Sequence, residues 1–469
     1  MRMSSGSGWR RGALALAAGA LPALSFPAPS LWWWAYAALV PWLLLLRTAG
    51  GGRRAAVEGW LGGTGFLLAT HHWLAPSLHA FLVVVAALMG LLWAPWGWLV
   101  RRLLAGAPAP GRVAAAAVLV PSAWLVIELV RSWEYLGGPW ALLGASQWQV
   151  PPALRLASLG GVWLVTVWVV AANTALAALV AMPGARRAAA AAAAVCVLFP
   201  AAAWAWAPLP RPSGTARVAV VQPGVVDGAG ARFDAGERLT GALAGREVDL
   251  VVWGESSVGY DLEGRPDLRE RLAALSARVG APLLVNVDAR RSDGPGIFKS
   301  SVLVGPRGPT GERYDKMRLV PFGEYVPARS LLGWATAVGE AAEEDRGRGD
   351  APVVMDTGPV RTGPVVCFES AFPDTGRALV RDGADLLVAQ SATSTFQDSW
   401  APSQHASLAA LRAAESGRPM VHATLTGVSA AYGPRGEPVG GRLGTGLSGS
   451  AVHEVPLASG ATVYVRFGD

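Results

Sequence analysis

An α-helical transmembrane bundle followed by a layered α/β domain is the architecture this sequence predicts, and three observations predict it. From Gly12 to about Leu209, apolar stretches follow one another, many near the twenty residues needed to cross a bilayer. Beyond the linker PLPRPSG the pattern changes to short strand-like runs divided by glycine, proline and charge. Of the 469 residues, 52% are apolar and only 16% are charged, which fits a membrane protein with a soluble part. The expected domains are therefore 1–210, polytopic and helical, and 211–469, outside the membrane.

Seven crossings are expected, at roughly 12–27, 30–46, 57–75, 80–100, 113–130, 158–181 and 188–207. Arginines test the count. Arg2, Arg10 and Arg11 precede the first segment; Arg47, Arg53 and Arg54 follow the second. Arg101, Arg102 and Arg112 follow the fourth, and Arg186 and Arg187 the sixth, whereas the loops at 28–29 and 76–79 carry no basic residue. The positive-inside rule then puts the N-terminus in the cytoplasm and everything after Pro208 outside. The first segment also fits a cleaved signal peptide, although segments one and two, both short, fit a tight membrane hairpin better. The net charge of +7 is explained by this topology, so no nucleic-acid partner is expected.

In the second domain RVAVVQ, DLVVWG, PLLVNV, SSVLVG, GPVVCF, DLLVAQ, PMVHATL and TVYVRF read as strands. RPDLRERLAALSARVG and APSQHASLAALRAAESG read as helices between them. Strands alternating with helices over this length make one layered α/β domain.

Scarce residue types mark the candidate chemistry. Among forty basic residues only Lys299 and Lys316 are lysines, and the only cysteines are Cys196, inside an apolar run, and Cys367. Glu255 follows DLVVW, Lys316 follows RYD and Cys367 follows GPVV, so a carboxylate, an ammonium and a thiol each lie at a strand end. A thiol attacks carbonyls as thiolate, which an adjacent base supplies, and an ammonium can hold the oxyanion that develops. The trio is equipped for acyl transfer through a thioester. Taken singly, each residue also fits an ordinary role: a solvated glutamate, a surface lysine, a core cysteine. His71 and His72 are adjacent rather than spaced for a metal, His405 sits in what reads as an ordinary amphipathic helix, and Lys299 is left without a role. No zinc spacing, phosphate-binding glycine loop or serine elbow is present.

With these residues in place, the chain resembles the apolipoprotein N-acyltransferases, bacterial membrane enzymes whose outer domain belongs to the nitrilase (carbon-nitrogen hydrolase) superfamily. The resemblance rests on ELVRSWEYLGGPWALLGASQ and LASLGGVW in the membrane half. In the outer half it rests on VVWGES, YDKMRLVPFGEYVP, VVCFES and QHASLAALRAAESGRP. It implies a nitrilase-like αββα sandwich in which Glu255, Lys316 and Cys367 are the catalytic triad. Glu324 and Glu369 match further acidic positions, with Glu324 supporting Glu255 and the lysine. It implies an acyl chain taken from a phospholipid, typically the sn-1 chain of phosphatidylethanolamine, onto the cysteine, and passed to the α-amino group of a diacylglyceryl-modified apolipoprotein. It implies a multi-pass protein of the bacterial cytoplasmic (inner) membrane with an extracytoplasmic catalytic domain. A monomer without cofactor or metal is expected.

Keeping water from a thioester needs an apolar cover, and Val320, Phe322, Tyr325 and Val326, with the segment from Phe368 to Phe372, are the residues expected to supply it. Three features depart from the family pattern. Gly254 stands where proline is usual, a change expected to loosen the turn, and Ala392 and Thr395 replace an asparagine and a tryptophan. The family's last membrane segment does not follow YVRFGD. The residues alone leave two other readings open: a membrane-tethered nitrilase-type amidase, with water as acceptor, and a scaffold partner of a polyprenyl-phosphate glycosyltransferase, in which the triad would be dispensable.

Overall fold

The computed structural model describes residues 5–291, 296–327, 329–332 and 344–468. The chain divides into two compact units, Met1–Leu156 with Val162–Ala207, and Ala157–Gly161 with Pro208–Asp469.

The first unit is helical: α1 (Ser5–Ala20), α2 (Val40–Arg47), α3 (Gly52–Thr70), the single turn α4 (Ala75–Leu78), α5 (Phe81–Gly90), α6 (Trp93–Leu104), α7 (Pro110–Arg131), α8 (Pro151–Ala181) and α9 (Arg186–Trp206). Segments Pro110–Arg131, Pro151–Ala181 and Pro183–Trp206 are long and apolar enough to cross a membrane, and α5 with α6, bent by 43°, makes a fourth candidate. The seven expected crossings are thus uneven. The second contains only the eight residues of α2, about 12 Å of rise, after a 3₁₀ turn at Trp32–Tyr36. The sixth is interrupted at Gly160 and Gly161, the latter at φ +66°. Helix α3 packs through glycines: a Cβ on Gly65 would lie 2.0 Å from the Leu16 carbonyl oxygen of α1, and one on Gly62 would lie 2.1 Å from Trp42. Small residues that let backbones meet are the usual device for joining helices in lipid.

The second unit runs β1 (Arg211–Gln222), α10 (Ala229–Gly241), β2 (Leu250–Trp253), α11 (Pro266–Val279), β3 (Leu283–Arg290), β4 (Ile297–Gly305), β5 (Gly308–Asp315), α12 (Arg329–Leu332), β6 (Met355–Asp356), β7 (Arg361–Val366), α13 (Pro373–Arg381), β8 (Leu386–Ser391), α14 (Ala401–Ser416), β9 (Met420–Thr424), β10 (Ser429–Tyr432), β11 (Pro438–Leu443), β12 (Gly449–Ser459) and α15 (Val463–Phe467). Two six-stranded sheets result, ordered β12-β1-β2-β3-β4-β5 and β11-β10-β9-β8-β7-β6. Each has three adjacent parallel strands, β1-β2-β3 and β7-β8-β9, flanked by antiparallel ones.

Period-two alternation explains the layers. Val218 and Val220 of β1 and Leu250 and Val252 of β2 face the second sheet, meeting Val366, Val388 and Val421. Val221, Val251 and Trp253 point the other way, onto Phe233 of α10 and Leu268, Leu272 and Leu275 of α11. Strands buried on both faces read as continuous apolar runs, as RVAVVQ and DLVVWG do. With α13 on β7 and α14 on β9, the layers are αββα. The expected strand TVYVRF is instead helix α15: the Thr462 side chain accepts the Val465 N–H at 3.1 Å and caps it, just after Gly460 turns at φ +88°.

Two buried glutamines tie the sheets together. Gln390 of β8 donates to the carbonyls of Trp253 (2.7 Å) and Leu284 (3.0 Å) and accepts from Ser301. Gln222 of β1 accepts from Thr424 (2.8 Å) and Ser429 (2.6 Å) of the opposite sheet. Replacing Gln390 by leucine removes its three hydrogen bonds from the core. It is expected to destabilise the α/β unit by about 3 kcal/mol or more, read by denaturant unfolding.

Candidate active site

Three strand ends from two sheets build the site. β2, fully buried, ends at Trp253; Gly254 turns the chain, and the Glu255 N–H donates to the Ser391 carbonyl at 3.1 Å. β5 ends at Asp315, and Lys316 is pinned by its N–H to the Lys299 carbonyl (2.9 Å) and by its carbonyl, which accepts from Gly349 N–H (2.9 Å). β7 ends at Val366, where Cys367 opens a 3₁₀ turn over Cys367–Ala371 with φ +53°. A non-glycine residue in the left-handed region is held there by its surroundings.

Lys316 is 1% exposed, and its Nζ lies 3.1 Å from Glu255 Oε1 and 2.9 Å from the Glu324 carboxylate. Burial alone would lower this ammonium, but the charges of Glu255 and Glu324 outweigh it and hold it above the ordinary lysine value. The Cys367 thiol moves up, through burial first and the Glu255 charge second, against the pull of Lys316. At rest the site therefore holds a thiol, an ammonium and carboxylates, and a thiolate forms only when its proton is taken.

The two further glutamates act differently. Glu324 touches the lysine and also accepts the Val320 N–H (2.8 Å), while its own N–H donates to the Val320 carbonyl (2.8 Å), so one carboxylate braces both ammonium and loop. Glu369, fully buried, accepts from Tyr314 Oη (2.7 Å), Met317 N–H (2.7 Å), Arg318 N–H (3.0 Å) and Val366 N–H (2.7 Å). It joins the chain just after Lys316 to the chain just before Cys367. Burial pushes its carboxyl up while these donors pull it back.

The residues expected to form a cover divide. Val320, Phe322 and Tyr325 are partly exposed, and Phe322 takes φ +64° with its N–H on the Tyr325 carbonyl (2.7 Å). Val326 and Phe368 are buried, and Phe368 packs edge-on against Phe372 (5.1 Å), over which the Arg318 guanidinium lies at 5.0 Å. Gly254 does not loosen its turn: a Cβ there would lie 1.9 Å from the Leu425 nitrogen, so the position is filled by neighbouring backbone. Ala392 offers its carbonyl to the Cys367 thiol at 3.9 Å, a contact independent of side chain, and Thr395 is exposed.

Two residues given no role in the sequence reading hold the site. Apart from Ser403, the residues of α14 are buried, so it is not an ordinary amphipathic helix. His405 Nε2 lies 2.9 Å from the Cys367 carbonyl and 2.9 Å from Ser370 Oγ. A carbonyl only accepts, so Nε2 carries the proton. Lys299, also buried, bonds Asp288 (2.5 Å) and Ser256, the residue after Glu255, which takes φ +55° and whose N–H donates to Asn286 (2.9 Å). A histidine within an apolar helix and a second scarce lysine were the available signals.

Comparison with known proteins adds the following. A family model described as apolipoprotein N-acyltransferase N-terminal domain matches residues 18–175, and one described as carbon-nitrogen hydrolase matches residues 217–463. The chain is 30% identical to the apolipoprotein N-acyltransferase of Geobacter metallireducens over 490 residues, covering 97% of this chain and 91% of that one. It is 32% identical to that of Azotobacter vinelandii over 497 residues, covering 100% and 93%. Among solved structures, an amidase from Nesterenkonia sp. aligns with 55% of this chain and 95% of its own at TM-score 0.40 and 19% identity.

Burial lowers His405 from 6.5 to about 4 and His422, whose ring lies 4.8 Å away, to about 3. The folded protein keeps both neutral where the unfolded chain takes up protons, so their contribution to stability is present above pH 6.5 and is lost as pH falls through about 4. The protection of α14 amides, relative to their intrinsic exchange rate at each pH, is expected to fall across that window, and less steeply in His405→Gln; an equal pH dependence in the variant would show that His405 is not held neutral.

Proposed function

Because the chain belongs to the apolipoprotein N-acyltransferase family, we propose that it moves an acyl chain from a membrane phospholipid to the N-terminal amino group of diacylglyceryl-cysteine in apolipoproteins, through a Cys367 thioester. The observation that carries this reading is the buried Lys316 held between Glu255 and Glu324, with its charge felt by the Cys367 thiol.

In the first half-reaction the thiol sulfur attacks the ester carbonyl of the donor while Glu255 takes the thiol proton. Negative charge develops on the carbonyl oxygen, and the Lys316 ammonium, already charged and desolvated, stabilises it. When the intermediate collapses, the carbon–oxygen bond breaks, Glu255 returns the proton to the departing lysophospholipid alkoxide, and the thioester remains. In the second half the acceptor amine attacks the thioester carbonyl, Glu255 takes the amine proton, and the carbon–sulfur bond breaks. That proton ends on the thiol, so enzyme and charge are restored. Burial and the Glu255 charge favour the neutral thiol, so removal of its proton by Glu255 is general-base work.

His405 and Glu369 fit positioning roles. One holds the carbonyl of the strained nucleophile and the other fixes the backbone on both sides of the lysine–cysteine pair. The partly exposed side chains of Val320, Phe322 and Tyr325 fit a cover that keeps water from the thioester. Both substrates are lipid-anchored, so a membrane-borne enzyme meets them by lateral diffusion. The arginine pattern supports a catalytic unit on the outer side of the cytoplasmic membrane.

Intact-mass analysis of the purified protein after incubation with phosphatidylethanolamine is expected to find one added acyl chain on the wild type and none on Cys367→Ala. Acylation surviving in that variant would overturn the thioester. Glu255→Gln and Lys316→Ala are each expected to slow adduct formation by about 100-fold or more. With a diacylglyceryl peptide supplied, Phe322→Ser combined with Tyr325→Ser is expected to raise free fatty acid at the expense of amide; an unchanged ratio would remove the cover from the scheme.

A further inference from the structure

The helical unit contains a cavity for which the acyl-transfer scheme has no use. It measures about 320 Å³ and is lined by Gly52, Trp98, Arg101, Arg102, Ala105 and Arg112. Chain order explains why these residues meet: α6 ends in a turn carrying Arg101 and Arg102, α7 begins at Pro110 and brings Arg112, and α3 begins at Gly52. Three guanidinium groups border one hollow, and no carboxylate lines it. Glu58, the nearby acid of α3, is fully buried and taken by Arg11 and Arg54, each at 2.7 Å.

The arginines keep donors in reserve. Arg101 uses Nε on the Ala49 carbonyl (2.8 Å), and Arg112 uses one Nη on the Ala105 carbonyl (2.8 Å). Among the described residues Arg102 has no recorded hydrogen-bond or ion-pair partner. Basic residues at the end of a membrane helix are required by topology alone. The shared hollow is a separate observation: Arg101 is half-buried, Arg102 and Arg112 are exposed, and the three border one open space that no carboxylate lines. The volume lies within the about 300–1,000 Å³ usual for small-ligand sites, and guanidinium groups match phosphate oxygens in bidentate fashion.

The walls say what kind of phosphate. Trp98 is 48% exposed, and Gly52 approaches it so closely that a Cβ would lie 3.0 Å from the indole. An indole beside arginines is the combination found at the membrane–water boundary.

We propose that this cavity binds the head group of an anionic phospholipid, with the phosphodiester on Arg101, Arg102 and Arg112. The site lies wholly within the helical unit, and the triad lies in the α/β unit. The proposal rests on membrane embedding and not on the acyl-transfer scheme.

The test is native mass spectrometry of the full chain in detergent, titrated with phosphatidylglycerol or phosphatidylcholine of identical acyl chains. The wild type is expected to retain phosphatidylglycerol with about tenfold or greater preference, given the attraction of each basic residue for anionic lipid. Arg101→Gln combined with Arg102→Gln and Arg112→Gln is expected to bind the two lipids alike, and the matching lysine variant to keep most of the preference. Far-ultraviolet circular dichroism and a single size-exclusion peak in detergent serve as the control for folding. If the triple glutamine variant does not fold, Arg102→Gln alone is expected to reduce the preference several-fold. Equal retention of both lipids by the wild type, or an undiminished preference in a folded glutamine variant, would overturn the proposal. Displacement of the lipid by glycerol 3-phosphate at equal concentration would also overturn it, by showing that the site takes phosphate without needing a lipid.

Discussion

An ammonium group removed from water stays charged only if anions surround it, and this constraint organises the α/β unit around Lys316. Its two carboxylates come from different places: Glu255 follows a strand three positions away in the same sheet, and Glu324 lies in the loop after β5. Bringing them within 3.1 Å fixes the end of β2, the end of β5 and the fold of the 320–326 loop together. Removing either carboxylate would leave a buried charge short of its partner, a large cost in a protein interior.

The second sheet contributes the thiol, and the sandwich decides how the two halves of the site meet. Gln390 crosses the interface one residue before Ser391, whose carbonyl holds the Glu255 N–H, so the same strand that ties the sheets also positions the base. Glu369 does comparable work at the other end, through a carboxylate that accepts backbone from both sides of the cleft. The polar groups of the interior are thus concentrated where the two sheets must keep a common register, and apolar packing fills the rest.

Much of this was legible in the chain. Glu255, Lys316 and Cys367 stood out because their residue types or motifs are scarce and each follows an apolar run, and RVAVVQ, DLVVWG and DLLVAQ formed strands as their β-branched content suggests. Other features were hidden for physical reasons. TVYVRF has strand composition, but a threonine cap and a preceding glycine turn it into a helix. His405 looked ordinary because its partner, the Cys367 carbonyl, is 38 residues away and no local pattern announces it. Lys299 was dismissed for the same reason, although Ser256 depends on it. The edge-on packing of Phe368 on Phe372 is likewise not visible in the sequence, because a hydrophobic residue next to a nucleophile can face either way. The short α2 and the break in α8 are not legible from hydropathy, which measures apolar content and not helix continuity.

The backbone at Cys367 carries a further consequence. A side chain at φ +53° opposes the natural preference of L-residues by roughly 1–2 kcal/mol, and glycine feels no such opposition. A chain with glycine there would escape that strain, lose its nucleophile and give up the packing of one small side chain. Selection for rigidity and selection for turnover therefore pull this position in opposite directions. A thermostabilised descendant of this protein would have to find its gains away from the turn that presents the sulfur.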